Sequence, residues 1–166
     1  PHYWLDIANG KIIAQNIANT LSKLDAEHSS IFAKNLKLFC NKADVKLAEL
    51  TKKMQPFKGT KIIAYHNEWV YFEQRFGLHI IDFLEPKPGI PPTPSQLAKV
   101  INEMKHDMMK IIISSPYFKT ESAELVARNT GAKVVVLATS VGANEQVKSY
   151  FDLFDYNISQ LINALQ

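Results

Sequence analysis

Cysteine is nearly missing from this chain: Cys40 is the only one in 166 residues. That excludes an internal disulfide and any cysteine-built metal cluster, and it fits either a reducing or an oxidising compartment. Glycine is scarce as well. The six glycines are scattered, with no GxGxxG or Walker pattern, so no phosphate-cradling loop is expected. No apolar run approaches the roughly 20 residues that a bilayer-crossing helix needs. An excess of one charge is also lacking: nineteen Lys and Arg against sixteen Asp and Glu leave +3. The basic residues are spread from Lys11 to Lys148 rather than gathered on a stripe, which predicts no nucleic-acid partner. The chain opens on Pro1, with no Met and no charged or apolar leader ahead of it, and is therefore expected to derive from something longer.

What is present is a globular pattern of one-domain length, 46% hydrophobic and 21% charged. Ile13, Ile17, Leu21 and Leu24 mark one face of a helix that begins near Asp6, a good N-cap. Phe32, Leu36, Phe39, Ala43, Leu47, Leu50 and Met54 keep a three- and four-residue spacing along a longer helix, which stops before Pro56 and Gly59. Cys40 falls on or beside that stripe and reads as an inert buried thiol.

After Gly59 the grammar changes. Residues 61–65 (KIIAY), 79–84 (HIIDFL), 110–113 (KIII) and 133–137 (KVVVL) read as strands. Helices are predicted around 69–76, behind Thr93, over 121–130 and at the end of the chain. The segment EPKPGIPPTP holds five of the eight prolines and reads as a stiff extended loop. Thr93, Pro94 and Gln96 then form a capping box, with Leu97, Ile101 and Met104 as the buried stripe of its helix. Short strands alternating with helices predict an α/β fold: a four-stranded parallel sheet flanked by helices, attached to a long linking helix. Residues 1–58 form the N-terminal helices, including the long backbone helix, and 59–166 the α/β lobe.

Ligands of such sheets collect at the carboxyl ends of the strands. Those ends carry His66, then Glu85, then Ser114 and Ser115, then Ala138 through Ser140. His66 is the strand-end histidine among five. A hydrolase built on Ser114, Ser115 or Ser140 lacks the GxSxG elbow and any recognisable His/Asp spacing. His28, His79 and His106 read as surface or packing residues. Glu68 reads as a solvated charge at a helix N-terminus, with orientation of His66 as the alternative. Tyr71, Phe72, Phe151 and Phe154 read as core.

Three segments occur in a telling order: His2-Tyr3-Trp4-Leu5-Asp6 with IANTL at 17–21, AYHNEWVYF at 64–72 with RFGL at 75–78, and FDLFDYN at 151–157. Together they resemble the second half of the periplasmic metal-binding proteins, the zinc, manganese and iron solute-binding proteins of ABC importers. The resemblance implies two lobes joined by a long helix, with metal held in the cleft by four side chains. One histidine would come from a first lobe absent here. His2 and His66 match the second and third ligands. The fourth, usually an Asp after the last strand, is matched by Thr139, a neutral hydroxyl. Water, Glu85 or Glu145 would then complete the shell. The resemblance also implies zinc or manganese as the metal, bound weakly or not at all by this segment alone, where His2 sits on a chain end with nothing to fix its ring. Its partners would be the importer's membrane permease and the missing lobe, with self-association through the uncovered face. The implied location is periplasmic or extracellular and membrane-associated, and no enzymatic activity is implied. An interaction module of the same fold that has lost metal is the alternative.

Overall fold

The computed structural model describes residues 2–87 and 89–166. Asp6, extended at φ −116°, turns its carboxylate onto the Ala8 amide at 2.9 Å and starts α1 (Ile7–Leu24) behind a single turn at Tyr3–Leu5. The long helix α2 (Ser29–Met54) packs along α1 and ends at the turn that holds Pro56. Then come β1 (Lys61–Ala64), α3 (Val70–Phe76), β2 (His79–Phe83), α4 (Pro94–His106), β3 (Ile111–Ser114), α5 (Glu121–Thr130), β4 (Lys133–Val136) and α6 (Tyr150–Leu165). All strand pairs are parallel and the order is β2-β1-β3-β4. The chain leaves β1 toward one edge and β3 toward the other. The crevice between their carboxyl ends is therefore the topological switch point where ligands of such sheets sit.

Strand alternation divides the core into two layers. Ile62, Ala64, Ile111 and Ile113 face α2, α3 and α6, packing with Ala43, Leu50, Met54, Phe72, Phe76, Phe154 and Ile158. Ile63, Tyr65 and Ile112 face α4 and α5, packing with Leu97, Val100, Met104, Ala123 and Val126. Both sheet faces are covered, as an all-parallel sheet requires. Leu5 and Ile7 belong to the first layer, so the helices before Gly59 share a core with the sheet.

Several expectations need correcting. Ile17, Leu21 and Leu24 are 55%, 39% and 80% exposed, because α1 turns its small residues inward instead. A Cβ added at Gly10 would stand 2.7 Å from the Tyr150 ring, so only glycine permits that approach. Cys40 is half-buried rather than buried. Only half of the capping box forms: Thr93 accepts from the Gln96 amide at 3.2 Å, but the Gln96 side chain donates to Phe83 O at 2.8 Å and ties α4 to the end of β2. The proline-rich segment is not simply extended, since Lys87 and Ile90 pair across a tight antiparallel bridge. Among the described residues, no helix is long and apolar enough to cross a membrane.

Candidate metal centre

Strand register brings the first pair together. Ala64 stands opposite Phe83, and the ladder continues with Glu85 N donating to Tyr65 O at 2.9 Å. His66 and Glu85 therefore leave adjacent strands side by side. The His66 Nδ1 bonds Glu85 Oε2, while Glu85 Oε1 accepts from Gly89 N at 2.7 Å. Glu85 is buried, and this contact puts the imidazole proton on Nδ1. The Nε2 lone pair of His66 is left for a ligand. Phe118 lies against the same ring, with centroids 5.3 Å apart.

His2 is held more firmly than a chain end would be. Its ring meets Trp4 edge-on at 4.8 Å, and its Nε2 stands 4.0 Å from Glu68 Oε2. Trp4 is itself fixed: Nε1 donates to Thr139 O at 2.7 Å, and Tyr150 Oη donates to Trp4 O at 2.8 Å and to Asp6 O at 3.2 Å. Arg75 grips the Asp6 carboxylate with Nε at 2.7 Å and a second nitrogen at 2.8 Å. Residues 2–6 are thus strapped across the carboxyl end of the sheet, and the expectation of an unfixed His2 ring is overturned. Burial lowers the pKa of His2 and favours the neutral imidazole that binds metals.

Glu68 is not the solvated charge expected from sequence; it is 5% exposed. Its amide bonds back to His66 O at 3.0 Å, which closes a tight turn. Burial pushes its carboxyl above the usual range, with Ser115 and His66 pulling the other way. Among the described residues, Glu68 Oε1, Ser115 Oγ and His2 Nδ1 are buried without a hydrogen-bond partner of acceptable geometry. Sequence reasoning missed the burial of Glu68, although its place between His66 and the buried Trp69 was the available signal.

Thr139 is buried behind β4, and its carbonyl is taken by Trp4. Glu145 is exposed in the same loop and joins none of these contacts. Ser140 Oγ meets Tyr117 Oη at 3.1 Å, and Ser114 Oγ turns to Ser115 O at 3.5 Å. Among the described residues, none of the three candidate serines has a histidine partner. No three His, Cys, Asp or Glu side chains among those residues stand close enough to enclose an ion. The lobe presents donors along one wall of a crevice rather than a closed cage.

Comparison with known proteins places this wall in context. The family described as "Zinc-uptake complex component A periplasmic" matches residues 1–164. The high-affinity zinc uptake system protein ZnuA of Brucella abortus (strain 2308) is 32% identical over 165 residues, 99% of this chain and 48% of that protein. The manganese ABC transporter substrate-binding lipoprotein PsaA of Streptococcus mitis is 24% identical over 170 residues, 99% of this chain and 55% of that protein. A crystal structure of ZnuA superposes with a TM-score of 0.88 at 26% identity, covering 100% of this chain and 62% of the other. The chain spans about half the length of the curated relatives it matches.

Proposed function

This chain belongs to the periplasmic zinc-uptake component A family, and from that membership we propose that it is the second lobe of a metal receptor serving an ABC importer. The receptor works outside the cytoplasm, takes up a divalent transition metal between two lobes, and presents it to the importer's membrane permease. Residues 1–58 carry the connection between lobes and 59–166 form the α/β lobe. No bond is made or broken in this task, so the site needs donors and a movable cleft rather than a nucleophile.

The observation that carries this reading is His66 itself. Its Nδ1 is held by a buried carboxylate and its Nε2 is left open, the arrangement by which proteins orient a ligating imidazole. His2 is the second imidazole on the same wall. Two imidazole ligands suit zinc and the later divalent metals better than a cation that prefers oxygen ligands. Zinc is therefore the first cargo to test and manganese the second.

Calorimetric titration of the protein carrying both lobes with each metal tests the reading, together with His66→Ala. Loss of zinc binding in the variant is expected, and unchanged binding overturns the assignment. Thr139 favours one other reading, an interaction module of the same fold that carries no metal. Elemental analysis of the purified two-lobe protein separates the two: zinc or manganese present at a one-to-one ratio excludes the module.

A further inference from the structure

We propose that Glu68 is an anionic ligand to the metal, supplying from this lobe the negative charge that Thr139 does not bring. The inference rests on the receptor reading above and adds a ligand to it.

Charge balance is the first argument. Two neutral imidazoles contribute nothing against a dication, and Thr139 is a neutral hydroxyl. Glu85 has both oxygens engaged, one by His66 and one by Gly89, and Glu145 is exposed away from these contacts. Glu68 is the remaining carboxylate on this wall. Burial is the second argument. A carboxylate 5% exposed is unfavourable unless it is paired or coordinates a metal. Among the described residues Oε1 makes no hydrogen bond of acceptable geometry, with the Ser115 hydroxyl as the polar group set toward this carboxyl, and the nearest basic nitrogen on Oε2 is His2 Nε2 at 4.0 Å.

Geometry is the third argument. Two donors held about 2.1 Å from one tetrahedral zinc are themselves about 3.4 Å apart. The 4.0 Å between His2 Nε2 and Glu68 Oε2 needs only a small contraction to reach that spacing. The Glu68 amide bonded to His66 O holds both residues on one tight turn. Among the described residues no three donors already surround a point, so the proposal requires His66 Nε2 and the His2–Glu68 pair to close together when the ion binds. Two imidazoles and one carboxylate then leave one tetrahedral position for the opposite lobe.

The test is zinc titration of the two-lobe protein against Glu68→Gln, Glu68→Asp and His66→Ala, with thermal midpoints of each metal-free form. Glu68→Gln is expected to weaken zinc binding by more than the roughly 10–100-fold that even outer-shell partners contribute. It should leave the metal-free midpoint unchanged or higher, because a buried unpaired charge has gone. Glu68→Asp keeps the charge on a shorter arm and should fall between Gln and wild type. Wild-type affinity in Gln, or in Asp if Gln does not fold, alongside loss in His66→Ala overturns the inference and leaves the receptor reading standing. A lowered metal-free midpoint in Gln with unchanged affinity assigns Glu68 a purely structural role and also overturns it. Wild-type affinity in His66→Ala overturns the receptor reading itself.

Discussion

Asn157 clasps Ala138: its Oδ1 accepts the Ala138 amide at 2.7 Å and its Nδ2 donates to the Ala138 carbonyl at 2.8 Å. β4 has ended at Val136, so this fully buried amide serves as an extra rung beyond the strand and aims the loop that carries Thr139. Asn157→Ala leaves two buried backbone groups unpaired, at roughly 1–3 kcal/mol each. Urea denaturation should show a loss of about 2–6 kcal/mol. A loss near zero would mean that water replaces the amide without cost.

Gly10→Ala should destabilise, although alanine is the better helix former by about 1 kcal/mol. The added methyl would meet the Tyr150 ring at 2.7 Å, and that ring cannot retreat while its hydroxyl holds Trp4 O and Asp6 O. Overpacking of this kind costs about 1–3 kcal/mol. Thermal unfolding gives the sign: a raised midpoint would show that Tyr150 moves freely.

Acid stability should depend on Asp82. Burial pushes its carboxyl up, but the Lys99 ammonium at 2.8 Å and the Phe83 amide outweigh it and hold the group below its ordinary value of 3.8. A depressed folded value contributes stability that is present above 3.8 and lost as pH falls through the folded value. Lys99→Met should therefore be less stable than wild type at neutral pH, with the gap closing in strong acid. Thermal midpoints from pH 2 to 7 check this, and a gap that is constant with pH counts against the pair.

Metal is not expected to hold the lobe together. Two apolar layers lie on either side of the sheet, so chelator should leave the cooperative melt of this chain unchanged, unlike that of a zinc finger. Alone, however, the chain should self-associate through the open side of α1, where Ile17, Leu21 and Leu24 lie in solvent. Light scattering at high concentration should report species above monomer mass, and Ile17→Glu with Leu21→Glu should restore the monomer.

Most of the fold was legible in the sequence because local signals agreed with one another. The four strands sit within a residue or so of the apolar runs, and Asp6, Gly77 and Gly131 cap helices where their chemistry suggests. The apolar face of α1 misled because periodicity says which residues share a face, not whether anything covers it. His66 was legible as a strand-end histidine. Its holder was not, because Glu85 reaches it only through the register of β1 and β2, a relation between segments nineteen positions apart. Glu68 was misread for a similar reason. A carboxylate beside a helix start looks solvated until the strap of residues 2–6 is laid over it.

That strap has a consequence for the order in which the chain takes shape. Trp4 is tied to Thr139 across 135 positions and to Tyr150 across 146. Contacts of such separation form late, since the entropy of closing the loop must be overcome before they contribute. On a ribosome adding about 5–20 residues per second, the segment holding His2 waits roughly 7–30 s before its docking surface has been made. The strap that carries His2 is thus synthesised well before Thr139 and Tyr150, the residues that tie it down through Trp4.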